Sequence, residues 1–188
     1  MDRYLIRGFI DGLLSTLGVV IGASIAITSG GTETVQAGYI IIIASGLGGG
    51  IANGLSNVLG AFMGEKAAMY ERYKKVEKAM LRDDVLKGTK VDERIQDKIL
   101  TSGVADGLST IGGAIIPIIP FLFVPIFTLT PMFGLYLSIL VSLVLFFVLG
   151  IYIGKVSKEN IILSGLKMVA FGGATTVIVG IISLILPA

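Results

Sequence analysis

The chain has 188 residues, 54% of them hydrophobic and only 15% charged, with 26 glycines and no cysteine, histidine or tryptophan. Soluble domains carry roughly 25% charged residues, so this composition, with its mean hydropathy of +0.90, excludes a soluble monomer and a disordered chain. It also excludes a disulfide scaffold and a zinc centre built on Cys or His. The net charge is +2, and where the charges fall matters more than their sum.

A helix needs roughly 20 apolar residues to cross the hydrocarbon layer. Five stretches qualify: 5–28, 36–63, 103–127, 132–154 and 161–186. The branched run from Tyr39 to Ile43 would suit a buried strand in a soluble protein, but segments this long and glycine-rich read as helices. The short alternating segments of a membrane barrel are missing. The expected architecture is an all-α membrane protein. Residues 1–63 form spans one and two, 64–102 a cytosolic helical hairpin, and 103–188 spans three to five. A secretory signal peptide at the N-terminus is the weaker reading, because Asp11 interrupts its apolar region.

The basic residues decide the orientation. Arg3 and Arg7 precede the first span, ten lie between Lys66 and Lys98, and Lys155, Lys158 and Lys167 surround the start of the fifth. Segments 29–35 and 128–131 contain none, and the first carries Glu33. The positive-inside rule then puts the N-terminus in the cytosol and the C-terminus, Leu186-Pro187-Ala188, outside. In the hairpin, ten basic and eight acidic residues nearly balance. Met69, Tyr73, Val76 and Met80 give a packing stripe on a helix continuing the second span. A turn at Lys87-Gly88-Thr89 leads to a second helix with Val91, Ile95 and Ile99 on one face.

Polar residues inside the spans are the candidate functional groups, because an ionised carboxylate there is costly unless it meets water or a partner. Asp11 lies ~9 Å into the first span, Asp106 ~6 Å into the third and Asn57 ~10 Å into the second, at 1.5 Å per residue. Met168 in the fifth span has a similar depth. The phrase Asp11-Gly-Leu-Leu-Ser-Thr-Leu-Gly18 is echoed by Asp106-Gly-Leu-Ser-Thr-Ile-Gly112. Gly8, Asp11, Ser15, Gly18 and Gly22 share one helical stripe, and Gly46, Gly50, Asn53, Asn57, Gly60 and Gly64 share another. A third holds Asp106, Ser109, Thr110, Gly113, Pro117 and Pro120. Such stripes serve helix packing generally, and polar residues on them either bond across helices or line a path. The fourth span offers only Gly134, Ser138 and Ser142 and reads as peripheral.

Other chemistry is set aside. The glycines after Tyr39 do not keep the G-x-G-x-x-G spacing in either register, and no phosphate-binding loop is present. Without His or Cys, the Ser–His–Asp and Cys–His nucleophile systems cannot be built, and no other nucleophile–base pair is visible. An enzyme is therefore not expected. The basic loop is interleaved with acids, which argues against nucleic acid.

The sequence resembles the vacuolar iron transporter family. The matching residues are Gly8-Phe-Ile-Asp11-Gly12, then Ala52-Asn-Gly-Leu-Ser56-Asn-Val-Leu-Gly60 running into a charged helix, the proline pair in Gly112-Gly-Ala-Ile-Ile-Pro117-Ile-Ile-Pro120-Phe121, and Gly165-Leu-Lys-Met168. The resemblance implies a homodimer that exchanges cytosolic Fe²⁺ or Mn²⁺ for protons along its interface. The family's first-span Asp corresponds to Asp11. Its second-span Met falls on Asn57, or on Ala61 one turn later; Met63 and Met168 are the available thioethers, and Asp106 is an added acid. The family's metal-collecting acidic region is shortened here to Glu65, Glu71, Glu77, Glu93 and Asp97. Each of these has basic neighbours and also reads as one half of a solvated salt bridge.

The expected metal ligands are Asp11, Asn53, Asn57, Asp106 and Met168, an oxygen-rich set suited to Fe²⁺ or Mn²⁺. Asp11 and Asp106, if close, would share the proton exchange. Pro117 and Pro120 break the third span and could act as a hinge. The expected function is proton-coupled export of a divalent metal from the cytosol, with the ion as cargo and no bound cofactor, in a prokaryotic cell membrane. A passive cation channel and a non-transporting scaffold that recruits a partner through its hairpin are the rivals.

Overall fold

The computed structural model describes residues 3–29, 35–81, 88–127 and 130–185, and every regular element among them is a helix. In chain order these are α1 (Arg3–Ser29), α2 (Val35–Ala79), α3 (Lys90–Ile115), a 3₁₀ turn (Ile116–Ile118), α4 (Ile119–Phe123), α5 (Pro131–Val156) and α6 (Ile161–Ile185). Among the described residues five segments are long and apolar enough to cross a membrane: Arg3–Thr28, Gly38–Ala79, Lys90–Phe123, Pro131–Val156 and Ile161–Ser183. Lys87 of the expected turn, residues 30–34 and 128–129 of the two connections without basic residues, and the C-terminal Leu186-Pro187-Ala188 lie outside the described residues.

Helix α2 has 45 residues, or ~68 Å at 1.5 Å each. That is about twice the hydrocarbon thickness, and its charges fall in its second half. Before helix α3, Gly88 takes φ +71 and admits the turn that a side chain would strain. The buried line of the α2 extension differs from the expected stripe. It runs through Ala61, Glu65, Met69 and Glu77, whereas Val76 and Met80 are exposed. On α3, Ile99 is buried and Val91 is exposed. The inward face is therefore set by ion pairing as much as by apolar spacing.

Helix α1 is the hub, touching α2, α3, α5 and α6. Its Leu13, Leu17, Val20 and Ile21 form one apolar cluster with Ile42, Ile118, Phe121, Val124, Leu135 and Phe146. Close approach of α2 to α3 depends on glycine. A Cβ on Gly107 would lie 2.7 Å from the Gly54 carbonyl oxygen, and one on Gly103 would lie 2.9 Å from that of Val58. Backbones this near can exchange weak Cα–H···O contacts and strong dispersion, the small-residue device of membrane helices.

Two expectations need correction here. Gly18 and Gly22 do not continue the polar face of α1; they look toward Val179 and Ser183 of α6. The fourth span is also less peripheral than the fifth. In α5, 28% of the apolar window is buried against 11% in α6, and Ser138 and Ser142 of α5 are fully buried. Their hydroxyls find carbonyls, Ser142 on its own helix and Ser138 on Pro117 across the bundle at 2.7 Å.

Candidate functional site

The proline pair breaks the third span where expected, giving the 3₁₀ turn at Pro117 and the short α4 that starts beside Pro120. Both prolines are buried. Because the Ser138 hydroxyl donates to the Pro117 carbonyl, that oxygen is already engaged by α5.

The polar groups cluster nearer the charged end, where α1, α2 and α3 converge. Asp11 on α1 is half-buried, and its Oδ2 accepts from two α2 amides, Asn57 Nδ2 at 2.6 Å and Asn53 Nδ2 at 3.2 Å. Asn53 also donates to Ser15 Oγ at 3.0 Å, and Asn57 to Thr110 Oγ1 of α3 at 2.9 Å. Each amide nitrogen thus spends both hydrogens, while neither amide oxygen has a hydrogen-bond partner among the described residues. The spacing is what α-helices require: Asp11 and Ser15 lie one turn apart on α1, as do Asn53 and Asn57 on α2. Thr110 closes the set by donating to the Asp106 carbonyl at 2.7 Å.

Asp106 itself behaves differently from Asp11. Its carboxylate is completely buried, its Oδ2 forms an ion pair with Arg7 of α1, and its Oδ1 has no hydrogen-bond partner among the described residues. The two aspartates therefore belong to one network, joined through Asn57 and Thr110, but their carboxylates do not pair with each other. Arg7 compensates Asp106. Its guanidinium also lies over the Tyr4 ring, 5.3 Å from the centroid, and together with Ile10, Asp11 and Leu14 it lines an open groove of about 410 Å³.

One turn nearer the charged end is a second ion cluster. Glu65 is 1% exposed; it accepts from Tyr4 Oη and pairs with Arg3 at 2.5 Å and Lys98 at 3.4 Å. Residues 3, 7 and 11 of α1 thus form three successive rungs, Arg3 to Glu65, Arg7 to Asp106, and Asp11 to the two asparagines. Gly8 makes this possible, because its missing side chain lets the Asp106 carbonyl and the Ser109 and Thr110 hydroxyls come against α1.

The remaining candidates are not part of this cluster. Met168 packs against the apolar cluster around α1. Glu71 pairs with Lys75 on the exposed face of α2 at 2.6 Å, Glu77 is buried and Glu93 is exposed. Asp97 lines a different groove with Lys66 and Tyr70. Among the described residues no three acidic side chains come together as a metal cage. Sequence reasoning missed Arg7, Tyr4 and Arg3 as site neighbours. The available signal was the four-residue spacing of Arg3, Arg7 and Asp11, which stacks three charges on one face of α1.

Comparison with known proteins agrees with the motifs. A profile described as the VIT family matches residues 65–183. An uncharacterized protein of Methanocaldococcus jannaschii is 45% identical over 169 residues, spanning 89% of this chain and 81% of the relative. With five helices long and apolar enough to span the bilayer, the chain is a multi-pass integral membrane protein. It belongs to the VIT family, the vacuolar iron transporter family that its motifs resemble.

Proposed function

We propose that this protein carries a divalent metal cation, Fe²⁺ or Mn²⁺, out of the cytosol in exchange for protons, with Asp11 as the central ligand. The observation that carries the reading is the half-buried Asp11 carboxylate, held by two asparagine amides whose oxygens remain uncommitted, beside an open groove. An ionised group at that depth is costly unless it serves a path or a partner. Carboxylate and amide oxygens suit hard and borderline cations such as Mn²⁺ and Fe²⁺.

The chemistry follows from what the amides do. Asn53 and Asn57 cap Asp11 with N–H donors. A cation arriving at Asp11 displaces those hydrogens, and rotation of each amide turns an oxygen toward the ion. Binding therefore breaks four hydrogen bonds, to Asp11, Ser15 and Thr110, before new ligands are gained. That keeps affinity modest, as release on the far side of the membrane requires. Membership of the VIT family supports the metal cargo. The groove-lining face of α1 supports a homodimer in which two copies bring their Asp11 sites together along a shared path. The basic residues on the α2–α3 end support an N-in, C-out orientation by the positive-inside rule, and the archaeal relative supports a prokaryotic cell membrane.

The test is uptake of ⁵⁴Mn²⁺ by proteoliposomes of the full chain. Asp11→Asn, which keeps the size and the ability to meet the asparagines, abolishes uptake on this reading. Undiminished uptake by a correctly inserted Asp11→Asn protein overturns it.

A further inference from the structure

The Asp106–Arg7 pair has a role that neither a ligand set nor a helix-packing device explains. Arg7 stands one turn from Asp11 on the same face of α1 and lines the same groove. An arginine four residues before an aspartate on a helix is placed to pair with it. Here it does not: the guanidinium turns across to α3 and engages Asp106 instead. It remains 58% exposed there, so it is not locked away from the groove. Asp106 is completely buried, with its second oxygen unpartnered, which is an expensive way to place a carboxylate whose only task is packing.

We propose that Asp106 is a positioning residue that holds Arg7 off Asp11, so that the resident guanidinium does not act as a surrogate cation in the metal site. The proposal rests on the reading of Asp11 as the metal ligand. Three charged groups then divide the work. Asp11 presents one net negative charge to the cargo, while Arg7 and Asp106 cancel each other one turn away. If Asp106 loses its charge, Arg7 is released with Asp11 four residues along its own helix, while Glu65, the other acid of the cluster, is already paired with Arg3 and Lys98. A bidentate guanidinium on that carboxylate competes directly with a divalent ion, since planar donors of this kind match carboxylate geometry closely. The geometry is reinforced from the other side. Tyr4 offers its ring face to Arg7, and the absence of a side chain on Gly8 lets α3 come near enough for Asp106 to be reached.

This assignment makes a different forecast from a ligand role. A ligand, once removed, is not replaced by deleting a neighbouring arginine. A positioning residue is. The experiment is Mn²⁺ binding to the purified full-length protein in lipid nanodiscs, followed by the electron paramagnetic resonance signal of free Mn²⁺. The proteins are wild type, Asp11→Asn, Asp106→Asn and the double variant Asp106→Asn/Arg7→Gln. Asp11→Asn loses binding. Asp106→Asn weakens it by on the order of tenfold or more, as expected when one charge too many faces the site. The double variant returns to within about threefold of wild type, because the released cation is gone together with its partner.

A double variant as weak as Asp106→Asn overturns the proposal, and so does an Asp106→Asn protein that binds like wild type. If Asp11→Asn binds like wild type, the metal reading of Asp11 falls first, a result distinct from failure of the positioning role. Should Asp106→Asn fail to insert, the double variant still decides, since it buries no lone charge. Loss of Mn²⁺ binding in a well-inserted double variant contradicts the assignment by itself.

Discussion

Asn57 connects all three helices of the site through a single nitrogen, so Asn57→Leu perturbs the site at its junction. Its Nδ2 gives one hydrogen to Asp11 at 2.6 Å and the other to Thr110 at 2.9 Å. A hydrogen bond to a charged group contributes about 1.5–3 kcal/mol and a neutral one about 0.5–1.5 kcal/mol. Between membrane helices the measured couplings average ~0.6 kcal/mol, because the unfolded reference state also finds partners. Asp11 is half-buried and borders a groove, so water replaces part of what it loses and the low end of each range applies. The sum is about 2 kcal/mol, which at 1.4 kcal/mol per decade is ~30-fold in the folded-to-unfolded ratio. Leucine keeps the branched four-heavy-atom skeleton of asparagine and is somewhat bulkier, so no cavity is added. The assay is reversible unfolding in mixed micelles on adding SDS, run as a double-mutant cycle with Asp11→Ala. Ser56→Leu is the control, one residue earlier on the exposed face of α2, and it leaves stability unchanged. A coupling of about 1–1.5 kcal/mol between positions 57 and 11 is expected. Zero coupling, or an Asn57→Leu protein as stable as the control, refutes the arrangement.

Three further outcomes follow from the fold. Gly107→Leu drives a side chain into Val58 and the Gly54 carbonyl and costs about 1–3 kcal/mol in the same unfolding assay, whereas Gly60→Leu, which meets nothing within 4 Å, leaves stability unchanged; equal effects would contradict the α2–α3 crossing. Ser138→Ala removes the hydroxyl that engages the Pro117 carbonyl and lowers stability by about 1 kcal/mol; no loss would mean that α5 does not pin the broken stretch. Because the chain has no cysteine, single cysteines at Lys158 and Thr130 report topology cleanly. A membrane-impermeant thiol reagent added to intact cells labels position 130 and spares 158, and the opposite pattern reverses the orientation.

The spans were legible because lipid forces every backbone hydrogen bond to be satisfied within its own segment, which leaves hydropathy as the dominant signal. The unbroken course of α2 from its apolar half into its charged half followed from the same pattern, and the break at Pro117 and Pro120 from the missing proline N–H groups. Asp11 with Asn53 and Asn57 was also readable, as polar residues on small-residue stripes at matched depths. What the sequence hides is the rotation of one helix against another. Asp106 and Asp11 carry the same local phrase, yet one carboxylate is buried against an arginine and the other borders a groove. That difference depends on how closely Gly8 lets α1 approach α3, which no single helix encodes. The α2 extension shows the same effect. An apolar stripe through Val76 and Met80 was the natural reading, but Arg3, Tyr4 and Lys98 converge on Glu65 and turn that residue inward. Met168 shows it too: its depth matched that of Asp11, but its packing against the apolar cluster depends on azimuth, which depth does not give.

The central claim is that metal moves against protons through a site centred on Asp11. The most direct measurement is Mn²⁺ flux into proteoliposomes holding the full chain, with a pH-sensitive dye trapped inside and Fe²⁺ and Ca²⁺ run in parallel. Metal influx accompanied by internal alkalinisation, both lost in Asp11→Asn, is the predicted result. Metal influx with no proton signal would replace the antiporter with a passive channel, and no flux of any ion would contradict the transport account altogether.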